Sequence, residues 1–197
     1  MYLLCILICI KICTALGFNP PEPELMNKNP RLSSEEILTQ SLLVRYTIVG
    51  LYIGIATLGV YISYFLDSGV SLHEVFSWSS CMDFPVCEIY SDIHRPQTLA
   101  LTTLVTTELL KALCTVSAKF SIFVVPPQRN PWLLLGVTVP FALNLVIIYN
   151  PSLGEIFGLV PLSSHDWMKI LLWSFPIIII EEGLKFYDSR FKEGCIR

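Results

Sequence analysis

Four long apolar blocks, at residues 42–66, 98–118, 132–149 and 167–184, are separated by polar segments, and a shorter block occupies residues 1–16. A helix of about 20 residues crosses a hydrocarbon core roughly 30 Å thick. The pattern therefore predicts an all-α membrane protein with four full transmembrane helices. The N-terminal block reaches only about 24 Å as a helix, so it is predicted as an incomplete fifth. In the 42–66 block an uncharged run follows Arg45, and Gly50, Gly54 and Gly59 allow close helix approach. The 132–149 block is uncharged, with Pro140 inside it and Asn144 expected to hydrogen-bond a neighbouring helix. Pro176 falls inside the last block, and Glu181 and Glu182 near its end are expected as a solvated pair or a bridge to Lys185.

One block departs from this pattern. Residues 98–118, TLALTTLVTTELLKALCTVSA, carry Glu108 and Lys111 near their middle. A single charge at a helix centre costs on the order of 3 kcal/mol on insertion scales. Such groups persist only where neighbouring helices shield them. Thr103, Thr107, Lys111 and Thr115 recur every fourth residue and form one slanting polar stripe, with Glu108 at its edge. That stripe should face protein or an ion rather than lipid. Two readings stay open on spacing alone: a structural Glu108–Lys111 pair one turn apart, or a carboxylate that binds or relays a cation.

Composition agrees with a membrane setting: 53% hydrophobic and only 15% charged, with a mean hydropathy of +0.62. A soluble domain would be nearer a quarter charged. The net charge of −3 is too small to speak to nucleic acid, but the absence of a basic stripe with interleaved aromatics argues against it as a partner. Seven cysteines are too few and too scattered for a disulfide-built scaffold. Cys5, Cys9 and Cys13 share one helical face, but without a redox spacing such as CxxC they make a poor oxidoreductase centre and behave better as small hydrophobes.

Lysine and arginine are unevenly divided between the polar segments. Lys28, Arg31, Arg45, Lys119, Arg129, Lys185, Arg190, Lys192 and Arg197 lie on one alternate set, against Arg95 on the other, with Lys169 just inside the last block. The positive-inside rule places the nine-residue set, including the C-terminus, in the cytoplasm.

The segment TALGFNPPEPELMNKNPR, from Thr14 to Arg31, stops any helix with its prolines, and SSEE at Ser33–Glu36 follows as a helix start. It resembles the loop after the sixth membrane helix of P-type calcium-transporting ATPases of the sarco/endoplasmic reticulum type. The likeness continues in register. RY before the glycine-rich run at Arg45 resembles the seventh helix, LVTTELLKAL the eighth, PP with NPWLLL the approach to the ninth, and IIIIEEGLKF the close of the tenth. The resemblance covers about Thr14 to Phe186 and implies the end of helix six through helix ten. It also implies that Glu108 is a calcium ligand, which suits a hard ion that takes six to eight oxygens. Cys81 and Cys87, in the polar segment 67–97, are implied as a lumenal disulfide. Two departures stand out. Lys111 occupies a position where the family has Asn, and its ammonium competes with a cation for Glu108. The sixth-helix ligand positions hold Cys5, Ile8 and Cys9 in place of Asn, Thr and Asp.

The phosphorylation motif DKTGT is absent from these residues, as are ATP and magnesium sites, so no ATPase activity is expected of this chain alone. The reading is a single C-terminal membrane domain, residues 1–197, of a calcium pump of the endoplasmic or sarcoplasmic reticulum. It would be a fragment that contributes to ion translocation only with the missing catalytic half. The alternative is a stand-alone membrane protein that docks on a pump or another helix bundle and modulates it without transporting. Partners under either reading are the lipid bilayer and a pump.

Overall fold

The computed structural model describes residues 14–15, 17–18, 40–70, 73, 75, 93–115 and 130–194, with side chains as far as 187. Among the described residues the secondary structure is helical throughout, as the apolar blocks predict. Six helices among them follow in order: α1 Gln40–Asp67, α2 His94–Cys114, α3 Pro131–Tyr149, α4 Pro151–Phe157, α5 Ser164–Ser174 and α6 Pro176–Gly194. The predicted incomplete helix at residues 1–16 lies almost wholly outside the described residues, with only Thr14 and Ala15 seen in a helical turn.

The helix boundaries follow local chemistry. Asn130 caps α3, its side chain accepting from the Leu133 N–H at 3.1 Å, and Pro131 takes the first helical position, where no N–H is needed. Asn150 does the same for α4, accepting from Ser152 and Leu153 with Pro151 next. Gly158 ends α4 at φ 65°, a left-handed conformation that favours glycine. Ser163 opens α5 in a capping box with Asp166.

Among the described residues, α1 and α3 alone are both long and apolar enough to cross a membrane by themselves. Of the four full spans expected from the sequence, the other two fall short of this for separate reasons. Threonines and the central charges lower the apolarity of α2, while the last predicted span is divided at Phe175 between α5 and α6. Pro176 has no N–H to donate into the preceding turn. The Trp173 carbonyl just before the break accepts the Tyr52 hydroxyl of α1 at 2.6 Å. A neighbouring helix thus supplies hydrogen bonding where the last helix is interrupted, as a membrane interior demands.

α2 is less apolar than α1 or α3 and more enclosed than either. α2 packs against α1, α3, α5 and α6, and twelve of its 21 residues are buried. Leu99, Leu101, Val105, Leu109 and Ala112 join Val60, Ile147, Ile148 and Ile170 in one apolar core. Gly59 lets α1 lie against the Trp173 ring, where an added Cβ would come within 2.6 Å of ring carbons. Gly50 and Gly54 meet nothing within 4 Å of a Cβ position.

Polar contacts assign the helix ends to two poles. At one, the start of α1 meets α6 through Arg45–Glu181, the end of α2 meets α6 through Lys185, and the start of α3 meets residue 15 through Asn130. At the other, the end of α1 meets α5 through Asp67–Lys169, the start of α2 meets α5 through Arg95–Asp166, and Tyr149 at the end of α3 accepts from Trp167. Successive long helices therefore run in opposite directions.

Candidate functional site

The polar stripe of α2 is built mostly from threonines, and their hydroxyls turn back onto their own helix. Thr98, Thr102, Thr103, Thr107 and Thr115 each donate to the carbonyl four residues earlier, at 2.7 to 3.1 Å. This satisfies the hydroxyl protons without a partner helix, so threonines can be buried at low cost. Thr103 and Thr107 are fully buried, so this part of the stripe faces protein. Thr107 goes further: its oxygen is also hydrogen-bonded, at 3.1 Å, to the hydroxyl of Ser174, the last residue of α5. The stripe thus touches the last predicted span beside its interruption. Glu108 follows Thr107 directly and is half-buried, as is Lys111 one turn on.

No ion pair within 4 Å joins Glu108 to Lys111 among the described residues. Nor does any group of three His, Cys, Asp or Glu side chains come together there as a metal cluster. Cys5, Ile8, Cys9 and Cys13 lie outside the described residues. The Cys81–Cys87 bridge implied by the resemblance finds no support, because both residues also lie outside them; the single described cysteine, Cys114, is a buried thiol.

Two sequence expectations are corrected. Asn144 is fully buried, yet neither its amide nitrogen nor its carbonyl oxygen has a hydrogen-bond partner, so the expected interhelical bond is not made. Glu181 is not a solvated carboxylate: it is 1% exposed and bonds the Arg45 guanidinium at 2.5 Å. The expected bridge from Lys185 does form, to Glu182 at 3.2 Å, and the same ammonium donates to the Cys114 carbonyl at 2.6 Å.

Sequence reading missed this last contact and the burial of Arg45 and Lys185. Each stands beside an apolar run and reads as a flanking charge. The available signal was phase: Arg45 lies four residues before Val49, at the head of the buried row Val49, Ile53, Ala56 and Val60. At the opposite pole Asp166 accepts from Arg95 at 2.9 Å and from the Ser163 N–H at 3.0 Å. Burial pushes its pKa up, but the Ser163 backbone bond, the Arg95 guanidinium and the more distant Lys169 outweigh it. They hold the carboxyl below its ordinary value.

The most enclosed helix of this bundle thus carries a threonine row beside a half-buried carboxylate. Residues 2–187 match the family described as cation transporting ATPase, C-terminus, and the chain belongs to that family. The match begins well before Thr14, so the N-terminal block is part of the family region, correcting the expectation that likeness fails upstream. The chain is 35% identical over 209 residues to the endoplasmic reticulum-type calcium-transporting ATPase 2 of Arabidopsis thaliana, covering 88% of this chain and 20% of that protein. It is 38% identical over 198 residues to a calcium-transporting ATPase of Plasmodium falciparum, covering 90% of this chain and 16% of the relative. A probable calcium-transporting ATPase of Trypanosoma brucei brucei is 32% identical over 202 residues, 92% of this chain and 20% of its own length. The chain thus spans a fifth or less of these relatives.

Proposed function

We propose that this chain is the C-terminal membrane bundle of a calcium-transporting ATPase, acting in ion translocation only when joined to a catalytic portion. The family match over residues 2–187 carries the reading, and the enclosed polar face of α2 gives it chemistry. In this reading α1, α2, α3 and the interrupted pair α5–α6 are the four spans. The pole holding Arg45 and Lys185 faces the cytoplasm, and the membrane is that of the endoplasmic or sarcoplasmic reticulum. Glu108 supplies a carboxylate oxygen to a calcium ion. Calcium takes six to eight oxygens, so most ligands come from the remainder of the pump. Lys111 tunes the site: its ammonium lowers the affinity that Glu108 would otherwise have.

Calcium uptake tests this. The chain is co-expressed with the N-terminal portion of an endoplasmic reticulum-type calcium pump truncated after its sixth membrane helix, and ATP-driven uptake into microsomal vesicles is measured. The reading predicts uptake from the pair, none from either part, and a loss of at least tenfold in calcium affinity for Glu108→Gln. Co-purification with an intact pump whose calcium affinity it shifts, without uptake from the pair, would replace this reading with a modulator.

A further inference from the structure

We propose that Lys185 is a positioning residue for Glu108: from α6 it holds the last turn of α2 and so fixes the height at which the carboxylate stands. The inference rests on the reading of Glu108 as an ion-facing group. α2 is tied to the last span at two points, Thr107 to Ser174 at 3.1 Å and the Cys114 carbonyl to Lys185 at 2.6 Å. Glu108 lies between them. On α2 the two points are separated by seven residues, an axial distance of about 10 Å; on the α5–α6 side Ser174 and Lys185 are eleven residues apart, about 16 Å. The lysine stem closes the difference of about 6 Å, because helical side chains lean toward the N-terminus of their own helix. The two anchors are therefore in register without stretching either helix.

The chemistry of the second anchor suits a fixed point. The last carbonyls of a helix lack intrahelical donors, and a cation there also meets the negative end of the helix dipole. Lys185 is 3% exposed and has a second partner in Glu182. Arg45–Glu181 secures α6 to α1 one turn earlier, so the lysine is presented from a helix that is itself held. Swinging this ammonium away would leave the Cys114 carbonyl without its donor and let the last turn of α2 fray toward Glu108.

The pair described above is compared in three forms: wild type, Lys185→Met and Lys185→Arg. Calcium half-saturation and maximal uptake are read separately, and backbone hydrogen exchange is followed across residues 108–114. Lys185→Met is expected to raise half-saturation about tenfold, the effect of one charge-assisted hydrogen bond, with maximal uptake within about twofold. Exchange in 108–114 should quicken, and Lys185→Arg, which keeps charge and donors, should restore both. Unchanged half-saturation, or a lower maximal rate at unchanged half-saturation, overturns the proposal. Should the wild-type pair take up no calcium, the transport reading fails separately. Exchange in the purified chain then decides: faster exchange in Lys185→Met, reversed in Lys185→Arg, supports the clamp, and equal exchange overturns it.

Discussion

The two poles of the bundle bury their charged side chains to different degrees. At the pole of Arg45, Glu181 and Lys185, all three charges are almost fully withdrawn from solvent. At the pole of Asp67, Lys169, Arg95 and Asp166, each pair keeps one exposed member, Asp67 at 57% and Arg95 at 39%, against partners Lys169 at 17% and Asp166 at 5%. A buried pair holds its partners strictly, since losing one strands the other charge in a poor solvent, whereas an exposed pair can exchange partners with water. The first pole is built as a fixed frame and the second as a looser rim. The fixed frame is the one that holds both α1 and the end of α2 to the last helix.

The sharpest way to break this contrast is Glu181→Gln. Stranding Arg45 should cost about 3–5 kcal/mol of stability in detergent unfolding, and the double change Arg45→Met with Glu181→Leu should recover most of it. A double variant as unstable as the single would remove the argument that the uncompensated charge causes the loss. Gly59→Leu comes next: with the Trp173 ring already in contact, overpacking should cost about 1–3 kcal/mol. Gly50→Ala, in open space, serves as its near-neutral control.

At the looser pole, Asp166 gives a smaller, pH-dependent effect. Its folded pKa lies below the unfolded value, so its stabilisation is complete above the ordinary carboxylate range. It is lost as pH falls from about 4 through the lower folded value. Asp166→Asn should cost about 1 kcal/mol near neutrality, the size of a helix cap, and flatten the acid limb of the thermal-stability profile. An acid limb that stays equally steep would assign the loss to other carboxylates. Lys169→Gln, removing the pair with exposed Asp67, should cost less than about 1 kcal/mol. A larger loss would show the second pole to be as strict as the first.

The helical class and the reversal of direction at each polar segment were legible because hydrophobic block length is a strong signal in bilayers. Where the blocks break was less so. Pro176 was visible in the sequence, but not that the last span would divide at Phe175, since a proline can also be absorbed within a continuous helix, as Pro140 is in α3. The α2 stripe was read correctly as facing protein at Thr103 and Thr107, because four-residue spacing fixes a face. The burial of Glu181 and Lys185 was not legible. Charges at the end of an apolar run look alike whether they meet lipid headgroups or another helix, and only the packing of α1 and α2 decides. Asn144 shows the converse: its polarity predicted an interhelical bond, and its buried amide makes none.

The claim on which the account turns is that Glu108 meets calcium while Lys111 opposes it. Equilibrium binding of radioactive calcium to the joined pump settles this across wild type, Glu108→Gln and Lys111→Asn. Glu108→Gln should weaken binding by at least about tenfold, and Lys111→Asn, which removes a charge one turn away, should tighten it several-fold. Identical binding curves for all three would contradict the account.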